Sequence, residues 1–431
     1  MTAERVLFLS GLQVYPTISG GTLRSFALAG ALRRHGFEVR VHSLTGRRVD
    51  YAAGRPSGLQ AWPDGTEEHV DRGLSSLFAW LSGYLLRLPP VWVSARLAAA
   101  AASPGEVLLP PALREKLQWC DVVVSDFPFL HPIFWAPSAA GKLRILSTHN
   151  VEHQLLAGPG CRPVGLLRGL VRALEIRAAK ACDILVACCP EDARFFEAKA
   201  RVARTVVVPN GIDPQRFRGI EVHRARVRRE LGIGDDTQVF LFTASKWGPN
   251  RDAFDLLLRF AKSQAAFLVH QKIHILVVGN VAAERIRLAG LTATGRVDVV
   301  EPYFAAADAA LNPMLGGAGT NVKMCEFVAA RLPILTTRFG ARGFQIEDGQ
   351  TGFLFEEDTL GPVLAKVRGL FDEDPARLRR IAARAHAANE ALIDMDACVG
   401  HLVEAVGEAR ARSRAALPAT LFGMCPPSES V

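Results

Sequence analysis

Short apolar runs alternate with amphipathic stretches along most of the chain. The run at 5–10 predicts a strand, a loop with Gly20 and Gly21 follows, 22–35 has apolar residues at helical spacing, and 37–44 predicts another strand. This order is a βαβ unit, in which a helix joins two parallel strands. The unit lacks the GxGxxG pattern and an acidic residue after its second strand, so the sequence disfavours an NAD site.

The same alternation continues on both sides of residue 213. For the first half we predict two or three helices in the less regular stretch 52–111, strands at 121–125, 143–148, 184–188 and 205–208, and helices at 163–181 and 190–199. For the second half we predict strands at 239–244, 273–278, 297–300, 309–312, 332–337 and 352–354, and helices at 221–231, 251–264, 282–289, 303–307, 321–331 and 359–371. Two further helices are predicted at 375–392 and 394–412.

This succession favours an α/β protein with mostly parallel sheets that are covered by helices on both faces. We predict two doubly wound units in tandem with a cleft between them, one over 1–213 and one over 214–392. Residues 413–431, rich in proline and serine, are expected to form a loose tail. Ligands of such proteins bind between domains and at the carboxyl ends of strands.

The stretch 313–337 has the clearest candidate chemistry. Its loop 316–320 (GGAGT) has almost no side chains and leads into a helix that begins near Asn321. Backbone N–H groups at a helix start form an anion site. Lys323 and Glu326 lie one turn apart, so the lysine can meet a phosphate and the carboxylate can accept hydrogen bonds from two hydroxyls. Phosphate plus diol is the outline of a nucleotide, although a solvated Lys–Glu pair beside an ordinary turn remains the alternative.

A polar cluster, THNVE at 148–152, follows the predicted strand 143–148. His149 is therefore the first residue that we expect to contact a substrate, because open α/β sheets place ligand chemistry at the carboxyl ends of strands. A structural hydrogen bond is the alternative role for a lone histidine in a loop.

Composition narrows the class of protein without choosing a ligand. With 49% hydrophobic and 22% charged residues, the 431-residue chain has the balance of a globular protein with two or three domains. The net charge of +8 fits an anionic substrate, a membrane surface or nucleic acid, and also a generally arginine-rich proteome. The eight cysteines show no CxxC pairing and no metal-ligand spacing, which indicates a reducing compartment.

Two stretches bear on membranes. The apolar run at the N-terminus is too short for a signal peptide and fits a first strand. The low-charge segment 74–86 is shorter than the roughly 20 residues that span a bilayer. The aromatic stretch 74–93 fits either a segment in a membrane interface or an ordinary core helix. We expect a cytoplasmic protein, with peripheral contact at the inner face of a membrane as the open alternative.

Five short motifs occur in a characteristic order. They are SGG at 19–21, STHNVE at 147–152, VPNGID at 208–213, Trp247 with Pro249 and Asn250, and GAGTNVKMCE at 317–326. On these motifs the chain, from about residue 5 to 412, resembles the retaining glycosyltransferases of the GT-B fold, in particular the group 1, family 4 set. The resemblance implies two Rossmann-like domains facing a cleft, with a C-terminal helix at 394–412 that crosses back to complete the first domain.

The resemblance also implies a donor site on the second domain. A nucleotide sugar would lie there, with Glu326 holding the ribose hydroxyls. The loop residues Gly319, Thr320 and Asn321, together with Lys323, would face the diphosphate or the sugar.

The first domain would complete this site when the cleft closes. Gly20 and Gly21 would approach a phosphate, and His149 would lie near the transferred sugar. The family needs no metal or other cofactor, so protein charge would stabilise the leaving diphosphate. The expected acceptor is a glycan, a lipid-linked molecule or a small molecule, and nucleic acid is not an expected partner.

Two departures from the family pattern stand out. Ala318 occupies the position where many members have the first of two glutamates, and a subset with a GxGT loop shares this feature. Many members also place an Arg and a Lys after the first strand of the second domain. Lys246 and Arg251 are the cations available there.

Other functions remain open at this point. A sugar-nucleotide epimerase or a phosphorylase shares the architecture, but the first would need additional carboxylates and histidines and the second a Schiff-base lysine and a longer chain. A non-catalytic nucleotide-binding partner of another transferase is the alternative that the missing first glutamate allows.

Overall fold

The strands of the first half form one sheet that is parallel except at one edge. The computed structural model describes residues 3–17, 19–44, 58–71, 91–155, 165–246, 248–317 and 321–415. The strands of this sheet are β1 (Arg5–Ser10), β2 (Glu38–Leu44), β3 (Gly58–Ala61), β4 (Glu67–Asp71), β5 (Val122–Asp126), β6 (Leu143–Ser147), β7 (Ile184–Ala187) and β8 (Thr205–Val207). Their spatial order is β3-β4-β2-β1-β5-β6-β7-β8, and β3 runs antiparallel to β4.

Helices cover both faces of this sheet. They are α1 (Gly20–Arg34), α2 (Val91–Ala101), α3 (Pro111–Trp119), α4 (Glu152–Leu155), α5 (Gly165–Ala181) and α6 (Pro190–Ala200). Successive residues of β1 point to opposite faces: Val6 and Phe8 join one apolar cluster, and Leu7 and Leu9 join another. Both faces of the strand are buried, as the apolar run predicts for a central parallel strand.

The second half repeats this arrangement with a second sheet. Its strands are β9 (Gln238–Thr243), β10 (Ile273–Val278), β11 (Ile286–Leu288), β12 (Leu291–Ala293), β13 (Ala309–Asn312), β14 (Ile334–Thr336) and β15 (Phe353–Leu354). The order is β11-β12-β10-β9-β13-β14-β15, and β11 runs antiparallel to β12. Two Rossmann-like units of a GT-B fold are therefore present, which confirms the predicted fold class.

The helices of the second half also lie on both faces of their sheet. They are α7 (Arg224–Leu231), α8 (Gly248–Ser263), α9 (Ala265–His270), α10 (Glu301–Ala306), α11 (Val322–Ala329), α12 (Leu360–Glu373) and α13 (Pro375–Ile393). The last helix that the structure describes is α14 (Met395–Ala415). Helix α14 packs on the first sheet, since Leu402 and Val406 lie in the same apolar cluster as Val6 and Phe8.

The order of the strands reverses direction at one point in each sheet. In the first sheet this point lies between β1 and β5, and in the second it lies between β9 and β13. The loops that follow these strands diverge and leave a crevice at the carboxyl edge of the sheet. The candidate residues after β1, β5 and β6 and those on α11 lie near these crevices.

One predicted helix in the second half is wrong. Residues 282–289 were expected to be helical, but β11 and β12 form a hairpin there. Ile286 and Leu288 alternate with Arg287 and pack on the core, which is the period of a strand. Gly290 turns the hairpin with a φ of +74°.

The predicted strand at 297–300 is also absent from the part of the chain that the structure describes. Val299 is 57% exposed, so this apolar segment is not an interior strand.

The stretch 52–111 contains strands β3 and β4, which the sequence did not predict. The alternation of apolar and polar residues in β4 is not evident in the sequence, because one of its interior positions is a glutamate. Glu68 is fully buried and accepts hydrogen bonds from five groups: the backbone N–H of Val14 and of Tyr15 and the side chains of Ser43, Gln60 and Trp62. These donors compensate the burial of its charge.

The predicted membrane-contact segment lies largely outside the described residues, which resume at residue 91. In the described ranges, the search for a helix long and apolar enough to cross a bilayer found none.

Candidate active site

Helix α1 presents an open N-terminus at the carboxyl end of β1. Ser19 and Thr22 close a capping box, in which each side chain accepts a hydrogen bond from the backbone N–H of the other residue. Gly20 and Gly21 follow the cap, and their missing side chains leave space on two sides.

These two glycines touch different halves of the protein. A Cβ on Gly21 would lie 3.6 Å from His149 Nδ1, and one on Gly20 would lie 3.4 Å from Val322 Cγ2. Gly20 is the first residue of α1 and Val322 the first of α11. The N-termini of two helices therefore meet, and the positive ends of their dipoles favour an anion at this junction.

His149 is held by a carboxylate that the sequence analysis did not identify. Its Nε2 donates to Asp126 Oδ1 at 2.9 Å, and its ring stacks on Phe127 with a centroid distance of 4.2 Å. An ionised carboxylate can only accept, so this bond places a proton on Nε2 and directs Nδ1 towards Gly21. The side chain of Ser25 on α1 donates to the second oxygen of Asp126.

Asp126 is fully buried at the end of β5. Burial alone would raise the pKa of its carboxyl group, but the electrostatic interaction with His149 and the hydrogen bonds from His149 and Ser25 outweigh this effect and lower the pKa. The carboxylate is thus ionised and accepts the hydrogen bond from His149.

A second buried carboxylate holds the segment that follows His149. Glu175 on α5 accepts hydrogen bonds from the backbone N–H groups of Glu152 and His153, and it pairs with His153 Nδ1 at 2.8 Å. Burial raises the pKa of Glu175 to about 8. This contact fixes the start of α4.

Lys323 lies on the first turn of α11. Its Nζ donates to Asn250 Oδ1 at 2.7 Å and lies 4.7 Å from the centroid of the Phe242 ring. Burial lowers the pKa of this ammonium group to about 7, and the charge of Glu326 opposes that shift. The side-chain amide of Asn250 is in turn fixed by a bond to the carbonyl oxygen of Ser245.

Glu326 is 8% exposed on the same face of α11. Burial raises the pKa of its carboxyl group to about 6, the charge of Arg216 lowers it, and that of Glu301 raises it. Arg216 bonds to Glu301 at 2.6 Å, while its Nη1 is 3.9 Å from Glu326 Oε1. The carboxylate thus lies beside a cation that is too far away for a hydrogen bond.

The remaining predicted site residues differ in their burial and contacts, and some lie outside the described residues. Asn321 precedes α11, and its Nδ2 donates to the carbonyl oxygen of Gly340 at 3.3 Å. Lys246 and Arg251 are exposed around the start of α8, where Lys246 donates its backbone N–H to Asn280. Gly319 and Thr320 lie outside the described residues, as do Ala318 and Trp247.

Asp126, Asn250, Arg216 and Glu301 are the neighbours of the predicted residues that sequence reasoning missed. Asp126 gave a usable signal, because it is the acidic residue at the carboxyl end of β5, two positions after the apolar run. Asn250 was noticed as part of a motif but not as a partner of Lys323. Arg216 and Glu301 are 85 residues apart, and the sequence gave no signal that they are partners.

Across the described residues, no group of three or more His, Cys, Asp and Glu side chains could hold a metal ion. The charges available to an anion in the described site are those of Lys323, the two helix N-termini and, when protonated, His149.

Comparison with known families identifies the class of protein. Residues 18–216 match the model of Glycosyltransferase Family 4, and residues 237–373 match that of Glycosyl transferases group 1. The chain belongs to this group of enzymes and is a glycosyltransferase. A search of curated proteins found no match.

Solved structures with the same fold cover nearly the whole chain. Sucrose-phosphate synthase from Thermosynechococcus elongatus superposes with a TM-score of 0.67 at 15% identity, over 95% of this chain and 100% of that one. Anabaena Alr3699/HepE, solved in complex with UDP, gives 0.61 at 14% identity over 94% and 100%. The catalytic domain of starch synthase IV from Arabidopsis thaliana, bound to ADP and acarbose, gives 0.63 at 13% identity over 96% and 99%. At such identities the similarity shows the fold.

Proposed function

We propose that this glycosyltransferase moves a sugar from a nucleoside diphosphate sugar to an acceptor, with retention of anomeric configuration and without a metal ion. The observation that carries the proposal is the meeting of the α1 and α11 N-termini, with Lys323 and Glu326 on the first turns of α11. Helix N-termini and a lysine can bind a diphosphate, and a carboxylate one turn away can accept hydrogen bonds from the two hydroxyls of a ribose.

Each part of the donor has a proposed partner. Glu326 accepts hydrogen bonds from the ribose hydroxyls, and Lys323 exchanges its bond to Asn250 for one to the diphosphate. Gly319, Thr320 and Asn321 face the diphosphate or the sugar, and Gly20 and Gly21 approach a phosphate closely because they have no side chains. Lys246 and Arg251 remain candidates for a second contact with the donor.

His149 is the proposed catalytic residue. Asp126 fixes its ring beside the glycine loop, where His149 can contact the transferred sugar and, when protonated, stabilise negative charge that develops as the sugar–phosphate bond breaks. The leaving diphosphate would otherwise need a metal, and the two helix dipoles and Lys323 take over that role in this proposal.

The proposed roles of the two halves are those that the resemblance to the family implies. The half at 214–392 binds the donor, and the half at 1–213, completed by 394–412, binds a glycan, a lipid-linked molecule or a small molecule. The solved neighbours with UDP, UDP-glucose or ADP support a nucleotide-sugar donor. A cytoplasmic location completes the proposal. Peripheral contact with a membrane is the open alternative, and flotation with anionic liposomes tests it.

Calorimetric titration with UDP, GDP and ADP, without metal and then with Mg²⁺, tests the donor site. We expect one nucleotide to bind without metal, and Glu326→Ala to remove most of its affinity while the protein stays folded. Glu390→Ala, on the exposed face of α13, is the matched control and should bind like the unaltered protein. Full affinity in Glu326→Ala would refute the proposed site.

Turnover separates the enzyme from a non-catalytic nucleotide-binding protein. With the matching UDP-, GDP- or ADP-sugar, we expect release of the nucleotide and a product whose anomeric configuration, read by NMR, equals that of the donor. Inversion would contradict the proposed mechanism, and tight binding without turnover on a panel of acceptors would favour the non-catalytic alternative.

A further inference from the structure

Glu326 has an unusual electrostatic setting for a group that must accept two hydroxyl hydrogen bonds. It is 8% exposed, and burial penalises its charged form. A protonated carboxyl group would lose part of its acceptor capacity, whereas an ionised one that was tightly paired with an arginine would have its oxygens occupied. The site therefore needs a positive charge nearby that does not take up the carboxylate oxygens.

Arg216 meets this requirement because Glu301 restrains it. The guanidinium lies on the 3₁₀ segment Pro214–Phe217, and both its Nε and its Nη2 bond to Glu301 Oε1, at 2.7 and 2.6 Å. Its Nη1 is buried, finds no hydrogen-bond partner among the described residues, and lies 3.9 Å from Glu326 Oε1. At this distance the arginine places a positive charge beside Glu326 but does not form a hydrogen bond with it.

We propose that Arg216, held back by Glu301, is a positioning residue that keeps Glu326 ionised with its oxygens open for the two ribose hydroxyls. This inference rests on the proposed donor site.

The charges around Glu326 predict opposite effects of the two partners. The charged groups that influence it are Arg216, Glu301 and, on its own helix, Lys323. Burial raises the pKa of Glu326 to about 6, so binding of a ribonucleotide should weaken as the pH falls through this value. Removing the arginine should raise the pH at which binding weakens, and neutralising Glu301 should lower it, since Arg216 lowers and Glu301 raises this pKa.

The test is calorimetric titration of the full chain with UDP, GDP and ADP and with their 2′,3′-dideoxy forms, between pH 5 and 8. For Arg216→Met we expect the acid limb, meaning the fall in affinity at low pH, to lie about one pH unit higher. Binding of the ribonucleotide near pH 6.5 should then be about threefold weaker, with little change for the dideoxy form. Arg216→Lys should restore part of the shift. Glu301→Gln should move the acid limb of binding to lower pH. This variant also provides an independent test if Arg216→Met does not fold.

Two further variants distinguish the possible outcomes. Arg226→Met removes an exposed arginine that pairs with Glu230 on α7 and should leave binding unchanged. In a Glu326→Gln background, Arg216→Met should cause no additional loss. Equal losses for the ribo and dideoxy forms, or an unmoved acid limb in both Arg216→Met and Glu301→Gln, would overturn the inference while the donor site stands. If Glu326→Gln leaves the preference for ribose unchanged, or no nucleotide binds, the proposed function itself fails.

Discussion

Asp126 is a fully buried carboxylate at the end of β5 that bonds to two neighbours with different tasks. Through Oδ1 it fixes the ring of His149, and through Oδ2 it accepts from Ser25, whose hydroxyl oxygen also lies 3.0 Å from the carbonyl oxygen of Gly21. The same carboxylate thus ties the proposed catalytic histidine to the glycine loop. Neutralising this carboxylate should therefore disturb the orientation of His149.

We expect Asp126→Asn to lower kcat by roughly 10²-fold with little change in donor affinity, because the amide keeps the shape but is no longer a charged acceptor that holds the Nε2 of His149 in place. Steady-state kinetics with the donor identified by titration would measure both constants. Asp121→Asn, at the other end of the same apolar run, loses only a half-exposed pair with Arg5 and serves as the control. An unchanged kcat in Asp126→Asn would contradict the proposed role of the pair.

Helix α1 links the glycine loop to the segment that joins the two halves. Arg24 on this helix is 2% exposed, and its Nη1 donates to the carbonyl oxygens of Val208 and Pro209 and to Asn210 Oδ1, at 2.8–3.0 Å. From the other side, Cys325 of α11 donates its thiol to the Asn210 carbonyl oxygen at 2.8 Å. The joining segment is therefore held by one helix from each half.

We expect Arg24→Met to reduce the free energy of unfolding by about 3 kcal/mol, because it leaves several buried acceptors without a donor. Arg34→Met on the same helix removes an exposed pair with Asp396 and should cost less than about 1 kcal/mol. Urea denaturation of both variants, followed by circular dichroism, measures the difference. Equal midpoints would show that the buried bonds of Arg24 contribute no more than a surface pair.

The two halves of the molecule are connected where the chain crosses between them twice. Ile212 and Asp394 form a parallel bridge, in which the Ile212 N–H donates to the Ile393 carbonyl oxygen at 2.8 Å and the Met395 N–H donates to that of Ile212 at 3.2 Å. Gly211 lies against this crossing, since a Cβ there would be 2.7 Å from the backbone of Met395. The close contact of backbones fixes how the second half sits relative to α14.

Gly211→Ala should therefore destabilise the protein by about 2 kcal/mol, because the added methyl group forces the two crossings apart. Thermal unfolding would measure the loss, and small-angle scattering would detect any change in the relative position of the halves. Gly407→Ala, in α14 with open space around it, should instead stabilise the protein by about 0.5–1 kcal/mol. A Gly211→Ala protein that melts with the unaltered one would show that the crossing can yield at no cost.

The sequence by itself determined the elements and much of their chemistry, because these depend on local patterns. Apolar runs gave β1, β10 and β13 with their observed bounds, the alternation of strands and helices gave the two parallel sheets, and the position of Lys323 and Glu326 on one helical face follows from their spacing. The same local reasoning failed where a pattern was ambiguous. The short hairpin β11–β12 was interpreted as a helix, and the buried Glu68 concealed β4.

Only the tertiary structure decided how these groups are combined. The contacts of His149 with Asp126, of Lys323 with Asn250, and of Arg216 with Glu301 join residues 23, 73 and 85 positions apart. The meeting of Gly20 with Val322 joins the two halves of the chain. Periodicity describes which face of an element is buried, whereas the partner of a polar side chain depends on how whole elements pack, and that packing brings the two helix N-termini together.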